Sequence, residues 1–447
     1  MESVAGDRRS DWAGLLDDIL SIIMERLEIR DLVRSGAVCA TWRATSAAIR
    51  RARFPLPSSA ANQLPCLFYA AAGDKASPAV VHCPFTGEST RAAFPFAPVV
   101  AGYSTVGAGH GWIVTADEQS NLRLHNPITG AQASLPPITG IHHVDTFSSS
   151  AAAPMYKYNV LMRSGPGDDD MEPVPFGAGE ARDCMYNRVV LSSSPSAASD
   201  CVALLAHMED GELSYARVGD EQWTWISPDE HPCLRHSSGF VDFFHDDDKK
   251  LFYALRHDGS IYTLDLNGNS PIVTRIKGKT QPRMIPAGMY ILRAPWGDIL
   301  VVKRWRSYVD LMETSSDQNP DEIEDNLDSI VGINDEIYPY LELRTTDIEV
   351  FKVDFDRRRL VKMKKFDDHA LFLGYNATMC LSTKDYPMLK PNCAYITDDS
   401  PEYISNYKDS WREIGIWDME KKTLQRFECA EDSPPWLNFP SPVWIKV

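Results

Sequence analysis

The sequence lacks any run of eighteen apolar residues, the length that a membrane-spanning helix requires. Its first twenty residues lack the basic start, apolar stretch and cleavage site that are typical of a secretory signal. Positive charge is scarce, since 45 basic residues stand against 62 acidic ones and the net charge is −17 at pH 7. Because binding along a phosphate backbone needs clustered Lys and Arg, we expect neither nucleic acid nor a membrane as a partner.

Motifs for disulfide frameworks and metal sites are also missing. The nine cysteines include no C-x-x-C pair, and no histidines stand in an H-E-x-x-H spacing. We therefore expect no metal, no cofactor and a reducing compartment, which is the cytoplasm, the nucleus or both. Cys380 and Cys393 are interpreted as buried structural thiols. His142 and His143 are interpreted as an exposed pair in a loop.

No catalytic motif is found. G-x-S-x-G is absent, and the glycine-rich GAGHGW at 107–112 is not followed by a helix that could present its N-terminus to phosphate. The sequence predicts a chain without catalytic activity. An enzyme with a metal or sugar site stays a remote alternative, which would need His and acidic side chains that converge on one site.

The first fifty residues have a helical period. Apolar residues recur at helical spacing over 16–27, which predicts a first helix. Asp31 is expected to cap a second helix over Leu32–Val38, and a third is predicted over about Cys39–Ile49. Two prolines then end the helical region.

Beyond residue 64, short strand-like runs separated by Gly, Asn, Asp and Pro indicate an all-β domain. One hairpin pattern repeats: HCPFTGESTRAAFP starts at His82, and HNPITGAQASLPP starts 43 residues later at His125. This spacing is typical of β-propeller blades. Degenerate copies follow at 215–226, 261–276, 350–366 and 414–427. Six hairpins predict a propeller of six blades.

These patterns divide the chain into three parts. We predict a small all-α domain of three helices at 1–54, a linker at 55–63 and a β-propeller at 64–447. Loops inserted within blades are predicted near 139–182 and 308–345, and two eroded extra blades at these places are the alternative. Because a propeller must hide its end edges, the terminal SPVWIKV is expected to pair with an early strand.

The segment WAGLLDDILSIIMERLEIRDLVRSGAVCATWR resembles an F-box, whose consensus runs roughly W-x-x-L-P-x-D-L/I-L, I-x-x-x-L, D-L-x-x and V-C-x-x-W-R. Leu16 stands where the consensus has a proline. In F-boxes that proline helps to begin the first helix and contacts the adaptor protein to which the F-box binds. The matching residues, in order, are Trp12, Leu15, Asp18, Ile19, Leu20, Ile23, Leu27, Asp31, Leu32, Val38, Cys39, Trp42 and Arg43.

The resemblance implies that the helices bind the Skp-type adaptor of a cullin-based ubiquitin ligase. A helical segment of this size can barely bury a core of its own, which fits a domain that packs on a partner. Ile23, Leu27 and Leu32 are expected in the domain's own core. The residues implied in adaptor binding are Leu15, Leu16, Asp18, Ile19, Val38, Cys39 and Trp42.

The C-terminal part is similar to the plant F-box family with a kelch-like propeller, long known only as a domain of unknown function. Motifs such as CVALLAH, DILVVKR and FDDHALFLGYNAT carry this resemblance. It implies a non-catalytic subunit of an SCF-type E3 ubiquitin ligase, whose propeller binds an unknown protein target. The alternative is an interaction or scaffold protein with weak or no ligase coupling, which the missing proline favours.

Overall fold

A computed structural model gives the fold of the chain. No helix among the residues that it describes is long and apolar enough to cross a membrane. The described residues are 15–24, 26–27, 29–53, 64–70, 79–92, 105–147, 154–158, 175–195, 201–208, 211–235, 238–279, 286–310, 341–375, 378–400, 403, 412–427 and 442–446. The predicted linker at 55–63 and the acidic segment at 311–340 lie outside them.

Three helices stand at the N-terminal end of the described chain, as the helical period predicted. They are α1 (Asp17–Met24), α2 (Ile29–Ser35) and α3 (Ala40–Arg53). The hydroxyl of Ser46 on α3 donates a hydrogen bond to the carbonyl oxygen of Leu32, which ties α3 to α2. A small apolar core joins the helices: Leu20, Met24, Leu32 and Ile49 are buried, and Leu27 and Trp42 pack against them partly buried.

Two details of the helices differ from the prediction. Helix α2 begins at Ile29, so Asp31 lies in its first turn and is not its cap; there its charge favours the helix dipole. Ile23, expected in the core of the helices, is exposed. Because α1 turns Leu20 and Met24 inward, Ile23 lies on the neighbouring side of the helix, at the edge of the core. The inward placement of Leu27 and Leu32 is confirmed.

Twenty-eight strands, one further α-helix and two short 3-10 helices (Ile138–Gly140 and Pro232–Leu234) follow in the described part of the chain. The first strands are β1 (Cys66–Ala70), β2 (Ala79–His82), β3 (Ser89–Arg91), β4 (Thr105–Gly109), β5 (Trp112–Ala116), β6 (Leu122–His125), β7 (Gln132–Ser134), β8 (Val144–Phe147), β9 (Met155–Tyr158), β10 (Phe176–Gly177), β11 (Tyr186–Leu191), β12 (Val202–His207), β13 (Glu212–Arg217) and β14 (Thr224–Trp225), with helix α4 (Ala178–Cys184) before β11. The others are β15 (Phe240–Asp246), β16 (Leu251–Arg256), β17 (Ile261–Asp265), β18 (Ile272–Lys277), β19 (Gly288–Arg293), β20 (Ile299–Asp310), β21 (Leu341–Asp354), β22 (Arg359–Lys362), β23 (His369–Leu373), β24 (Met379–Ser382), β25 (Cys393–Ile396), β26 (Gly415–Asp418), β27 (Thr423–Arg426) and β28 (Val443–Ile445).

The strands form six sheets of four or five strands and one small sheet. They are sheet 1 (β28-β1-β2-β3), sheet 2 (β4 to β7), sheet 3 (β11 to β14), sheet 4 (β15 to β18), sheet 5 (β19 to β22), sheet 6 (β24-β23-β25-β26-β27) and the three-stranded insert sheet (β10-β9-β8). Each of the six predicted hairpins is the outer strand pair of one of the six larger sheets. The hairpin repeat is therefore confirmed.

Consecutive sheets share apolar cores, and these cores link the six sheets in a closed circle. Separate clusters of buried residues join sheets 1 and 2, sheets 2 and 3, sheets 3 and 4, sheets 4 and 5, sheets 5 and 6, and sheets 6 and 1. The first strand in the order of each sheet neighbours the first strand of the next sheet. From sheet 1 to sheet 6 these strands are β28, β4, β11, β15, β19 and β24.

Strand β12 shows why the sequence suits this stacking. All six residues of VALLAH are buried. Val202 and Leu204 face the core shared with sheet 4, while Ala203 and Leu205 face the core shared with sheet 2. Side chains alternate between the two faces of a strand, so a strand between two neighbouring sheets is buried at every position and mostly apolar.

The last strand closes the circle. Strand β28 pairs antiparallel with β1, with Cys66 opposite Ile445 and Phe68 opposite Val443. Trp444, completely buried, meets the ring of Phe372 in sheet 6 edge to face, with 5.0 Å between ring centroids. The predicted pairing of SPVWIKV with an early strand is confirmed.

The two predicted insertions need correction where the structure describes them. The segment near 139–182 is more than a loop, because β8, β9 and β10 form the insert sheet and α4 follows it. Near 308–345, residues 308–310 pair with 341–343 as the far ends of β20 and β21. Sheet 6 also departs from simple hairpins, since β23 and β25 pair in parallel.

Candidate protein-binding surface

The helices expose an unusual share of apolar surface. In the described part of the chain ten large apolar side chains are exposed, and five of them lie on the helices and their loops. These are Leu16, Ile19, Ile22, Ile23 and Val38. An apolar cluster on so small a unit is typical of a protein-binding surface.

The geometry of α1 produces this exposure. Leu20 and Met24, one turn apart, face the small core. Leu16, Ile19 and Ile23 are spaced three and four residues apart, so they share the neighbouring side of the helix. The backbone N–H of Leu20 donates to the carbonyl oxygen of Leu16 at 3.0 Å, which continues the helical geometry back to Leu16. We call Leu16, Ile19, Ile22 and Ile23 the apolar stripe of α1.

None of the seven residues predicted to bind an adaptor is fully buried. Leu16 is 72% exposed and directly precedes α1, the position where the F-box consensus has proline. Trp42 packs against the edge of the small core and keeps part of its surface accessible. Asp18, Ile19 and Val38 are exposed, and Leu15 and Cys39 are half-buried. Trp12 lies outside the described residues.

Sequence reasoning missed Ile22 and did not assign Ile23 to this surface. The signal was present, because α1 has more apolar positions than one inward-facing side can hold. Helix α1 contains three isoleucines in addition to Leu20 and Met24, which face the core. These additional apolar residues indicate a second apolar side of the helix.

The centre of the six sheets holds a buried ion pair. Arg188 on β11 and Asp242 on β15 are 2.8 Å apart, Nη2 to Oδ1. The other oxygen of Asp242 accepts the backbone N–H of Ile291 on β19 at 2.8 Å. Arg188 also donates to the carbonyl oxygen of Tyr375, in the turn between β23 and β24. Burial raises the pKa of Asp242, and Arg188 opposes that shift. This network connects the first strands of three sheets with sheet 6.

A second buried network fastens sheet 5 to sheet 6. Arg304 on β20 is completely buried and donates to the side chain of Thr345 at 2.9 Å, to Asp399 at 3.1 Å and to Glu413 at 2.9 Å. Arg306 also binds Asp399. A buried charge is stable only when it is paired and hydrogen-bonded, so this network specifies how the two sheets dock.

The hairpin β21–β22 is strongly basic although the chain is acidic. Residues 352–365 contain seven Lys or Arg and two Asp. Three of the cations have ion pairs: Lys352 with Asp298, Arg359 with Asp354 and Lys362 with Glu349. The exposed cations that have no ion-pair partner among the described residues are Arg357, Arg358, Lys364 and Lys365. Exposed Phe355 and Val361 lie on the same hairpin.

His142 and His143 lie in the turn before β8, where His142 is exposed, as predicted, and His143 is half-buried. His142 stacks on the indole of Trp225 at 5.0 Å, and His143 meets the same indole edge-on at 4.6 Å. His143 also contacts Tyr158 of the insert sheet at 5.9 Å, and its half-burial lowers its pKa. The pair therefore packs the insert sheet against sheet 3. Cys380 and Cys393 are buried, as predicted.

No catalytic constellation emerges where side chains are described. No group of three or more His, Cys, Asp or Glu in those ranges could hold a metal ion. The two buried networks consist of cations, carboxylates, hydroxyls and backbone groups that bind one another. What the geometry offers is surface: an apolar stripe on the helices and a basic hairpin on sheet 5.

Known proteins resemble this chain along most of its length. Residues 83–418, more than half of the chain, match the family described as KIB1-4 beta-propeller. The F-box protein SKIP23 of Arabidopsis thaliana is 22% identical over 459 residues, which cover 97% of this chain and 95% of that protein. The F-box protein At2g05970 of the same plant is 27% identical over 134 residues, 29% of this chain and 33% of that protein. The kelch-like character of the repeat stays a prediction. The chain belongs to the KIB1-4 beta-propeller family and is similar to plant F-box proteins.

Proposed function

We propose that the chain is the substrate-recognition subunit of an SCF-type ubiquitin ligase. Residues 1–54 bind the Skp-type adaptor, 55–63 link the two parts, and the propeller at 64–447 binds a protein target. The chain performs no catalysis, needs no cofactor and works in the cytoplasm, the nucleus or both. The F-box names of its relatives and the propeller family of this chain support this proposal.

The observation that carries the proposal is the apolar stripe of α1. Covering one large apolar side chain completely contributes about 1.5–3 kcal/mol. The stripe and Val38 are 38–72% exposed, so an adaptor that covers them would gain part of this contribution from each side chain. The proposed contact residues are Leu15, Leu16, Asp18, Ile19, Val38, Cys39 and Trp42, to which we add Ile22 and Ile23.

We propose that the propeller has six blades, formed by sheets 1 to 6. Each of these sheets carries one copy of the hairpin repeat as its outer strand pair, and the insert sheet carries none. Strand β4 of sheet 2 neighbours β11 of sheet 3 directly, although the insert sheet lies between them in sequence. The insert sheet is thus an addition beside the ring and does not make a seventh blade.

The mechanism is positioning. The adaptor and cullin carry the ubiquitin-conjugating enzyme, and the propeller holds the target beside it. Holding both on one scaffold raises the effective concentration of target lysines at the thioester. The rigid packing of six sheets, with two buried ion networks between them, suits a subunit that must fix the distance between target and enzyme.

We propose the basic hairpin β21–β22 as part of the target-binding surface. Its unpaired cations and exposed Phe355 and Val361 combine charge with apolar contact, which favours a target with an acidic and apolar face. Hairpin turns at the rim of a rigid scaffold are common binding positions. The net charge of the whole chain is negative, which favours basic partners. The hairpin β21–β22 differs from the rest of the chain because its own charge is positive.

The alternative is an interaction protein without ligase coupling. The observation that favours it is Leu16, which occupies the proline position of the F-box consensus and is exposed. Adaptor affinity of the wild type and of Leu16→Pro separates the two functions. Measurable binding by the wild type supports the ligase subunit, and binding that requires Leu16→Pro supports the alternative.

The full chain tests the proposal in cells. We expect wild-type protein to co-purify with a Skp-type adaptor and a cullin, and the double variant Ile19→Asp, Val38→Asp to lose both. The matched control is Ile272→Asp, an apolar side chain on β18 that is 63% exposed. Equal adaptor recovery for the double variant and the control would contradict the proposal.

A further inference from the structure

Two cysteines face each other at the closing sheet of the ring. The pairing of β1 with β2 ends with Leu67 opposite His82, and continuing this register by one position would bring Cys66 opposite Cys83. Directly opposed residues of antiparallel strands have Cα atoms about 4.5 or 5.5 Å apart. Both separations fall in the range of about 4.4–6.8 Å that a disulfide spans. Both thiols are free and half-buried.

Comparison of the hairpin repeats shows the structural role of the side chain at position 83. At the corresponding position of sheet 2, the side-chain oxygen of Asn126 accepts the backbone N–H groups two and three residues later, at 3.1 and 2.9 Å. In sheet 6, Asp418 accepts the same two N–H groups at 3.0 and 2.9 Å. In sheet 1 Cys83 takes this place, and the backbone N–H groups of Phe85 and Thr86 lower its pKa.

The backbone of the three turns is the same. In each turn a backbone N–H donates to the carbonyl oxygen of the residue four positions earlier. The pairs are Gly87 to Cys83, Gly130 to Asn126 and Lys422 to Asp418, each at 2.9 Å. The donating residue has positive φ in all three turns: Gly87, Gly130 and Lys422. A turn that holds the carboxylate of Asp418 in one sheet therefore presents the same two donors to the sulfur of Cys83.

These contacts favour the thiolate of Cys83. The hydrogen bond from Cys66, with the Thr86 side chain and the two backbone N–H groups, lowers the pKa of Cys83 to about 5 against the opposing effect of burial. The same hydrogen bond and burial raise the pKa of Cys66. His82, the adjacent titratable group, has a pKa lowered by burial, so it is neutral near pH 7.

We propose that Cys83 and Cys66 form a redox-modification site, in which Cys83 is the attacking thiolate and Cys66 the resolving thiol that closes a reversible disulfide. The oxidant is a hydroperoxide. This site is separate from the proposed adaptor and target surfaces. A low-pKa, accessible thiolate next to a second thiol is the arrangement that peroxide-sensitive cysteines share.

The chemistry balances with one hydroperoxide. The Cys83 thiolate attacks the peroxide oxygen, the O–O bond breaks, and an alkoxide leaves and takes a proton to become an alcohol. Cys66 then loses its proton, its sulfur attacks the sulfur of the Cys83 sulfenic acid, and the departing hydroxide is protonated to water. Two electrons pass from the sulfurs to the peroxide, and a thiol reductant reverses the reaction.

The disulfide would act where the ring closes. Cys66 stands opposite Ile445 of β28, and on its other side the continued register would bring it opposite Cys83 of the β2–β3 turn. A bond from Cys66 to that turn fixes β1 between its two neighbours. Constraining a loop of this length stabilises the folded chain. We expect oxidation to raise Tm by about 2–5 °C and a reductant to reverse that rise.

Peptide mapping of the full chain tests the site. Trypsin cleaves after Arg53, Lys75 and Arg91, so Cys66 and Cys83 lie on separate peptides, 54–75 and 76–91, each with one cysteine. After treatment with hydrogen peroxide and non-reducing digestion, we expect the disulfide-linked pair of these peptides. In Cys66→Ser we expect Cys83 to stop at a sulfenic acid that dimedone traps.

Cys83→Asn is the matched control, because Asn126 shows that this turn accepts asparagine. It should keep the reduced Tm and lose both the linked peptides and the Tm rise. At pH 6, iodoacetamide should modify Cys83 about fivefold faster than the half-buried Cys233. Peroxide that oxidises other cysteines without linking 54–75 to 76–91, or alkylation of Cys83 no faster than that of Cys233, would overturn the inference.

Discussion

Ring closure by the last strand makes a quantitative prediction at Trp444. This side chain is completely buried between sheets 1 and 6, where it packs edge-on to Phe372 at 5.0 Å and to Phe427 at 6.2 Å. Replacing it with alanine removes these contacts and leaves a cavity at the junction of the first and last strands. Removing a buried Trp costs about 3–5 kcal/mol of the free energy of unfolding.

Urea unfolding measures this cost. With an m value of about 3 kcal/mol/M, a loss of 4 kcal/mol lowers the urea midpoint by about 1.3 M. Trp444→Phe keeps an aromatic ring against Phe372, so its midpoint should fall by less than half as much. The control is Trp296→Ala, a tryptophan that is 42% exposed.

The closing role of β28 would be refuted if Trp444→Ala and Trp296→Ala shifted the midpoint equally, or if the loss at Trp444 stayed below about 1 kcal/mol. Either result would mean that β28 does not hold the ring closed. A cost concentrated at Trp444 would show that the pairing of the two chain ends stabilises the whole ring.

Three further predictions concern the ion networks, a close backbone approach and the basic hairpin. Arg304→Met leaves the carboxylate of Glu413 buried without its cation and leaves Asp399 paired with Arg306 alone, so urea unfolding at pH 7 should show a loss of about 3–5 kcal/mol. Burial alone would raise the pKa of Asp399, but Arg306 and Arg304 lower it. The lowered pKa of Asp399 stabilises the fold at pH values above the pKa of the unfolded chain, and this effect is lost as the pH falls through the folded pKa. The wild type should therefore lose stability as the pH falls below about 4, and Arg304→Met should lose less. Gly374→Ala would bring its Cβ within 2.2 Å of the Thr397 hydroxyl oxygen, so it should cost about 1–3 kcal/mol, and Thr397→Ala in the same chain should recover part of that loss in urea unfolding. The double variant Arg357→Glu, Arg358→Glu should leave the urea midpoint within about 0.5 kcal/mol of the wild type and reduce target capture from a cell extract several-fold, with Arg217→Glu on sheet 3 as the control.

The sequence predicted those parts of the fold that depend on local patterns. The outer hairpins follow from turns with Gly at positive φ, and the repeat at His82 and His125 places two of them correctly. The closing strand follows from the need to cover sheet edges. The three helices follow from apolar spacing, which also gave the inward side of Leu32.

The parts that the sequence did not predict depend on contacts between distant segments. The two-residue strand β10 has no period of its own and forms only because β9 pairs with it. The parallel pair β23–β25 depends on β24 passing to the inner edge of the sheet, which no local pattern specifies. Cys83 was visible in the repeat, since it replaces Asn126 in the aligned hairpins, but its partner Cys66 became evident only from the strand register.

The proposed function depends above all on an adaptor that covers the apolar stripe of α1. Isothermal titration of a purified Skp-type adaptor into the full chain is the decisive experiment. Because Ile19 would pass from exposed to covered, Ile19→Asp should weaken binding by at least about 2 kcal/mol, roughly thirtyfold, while Ile272→Asp leaves Kd unchanged. Equal Kd values for the two variants, or no heat of binding for the wild-type chain, would contradict the proposed role of the stripe.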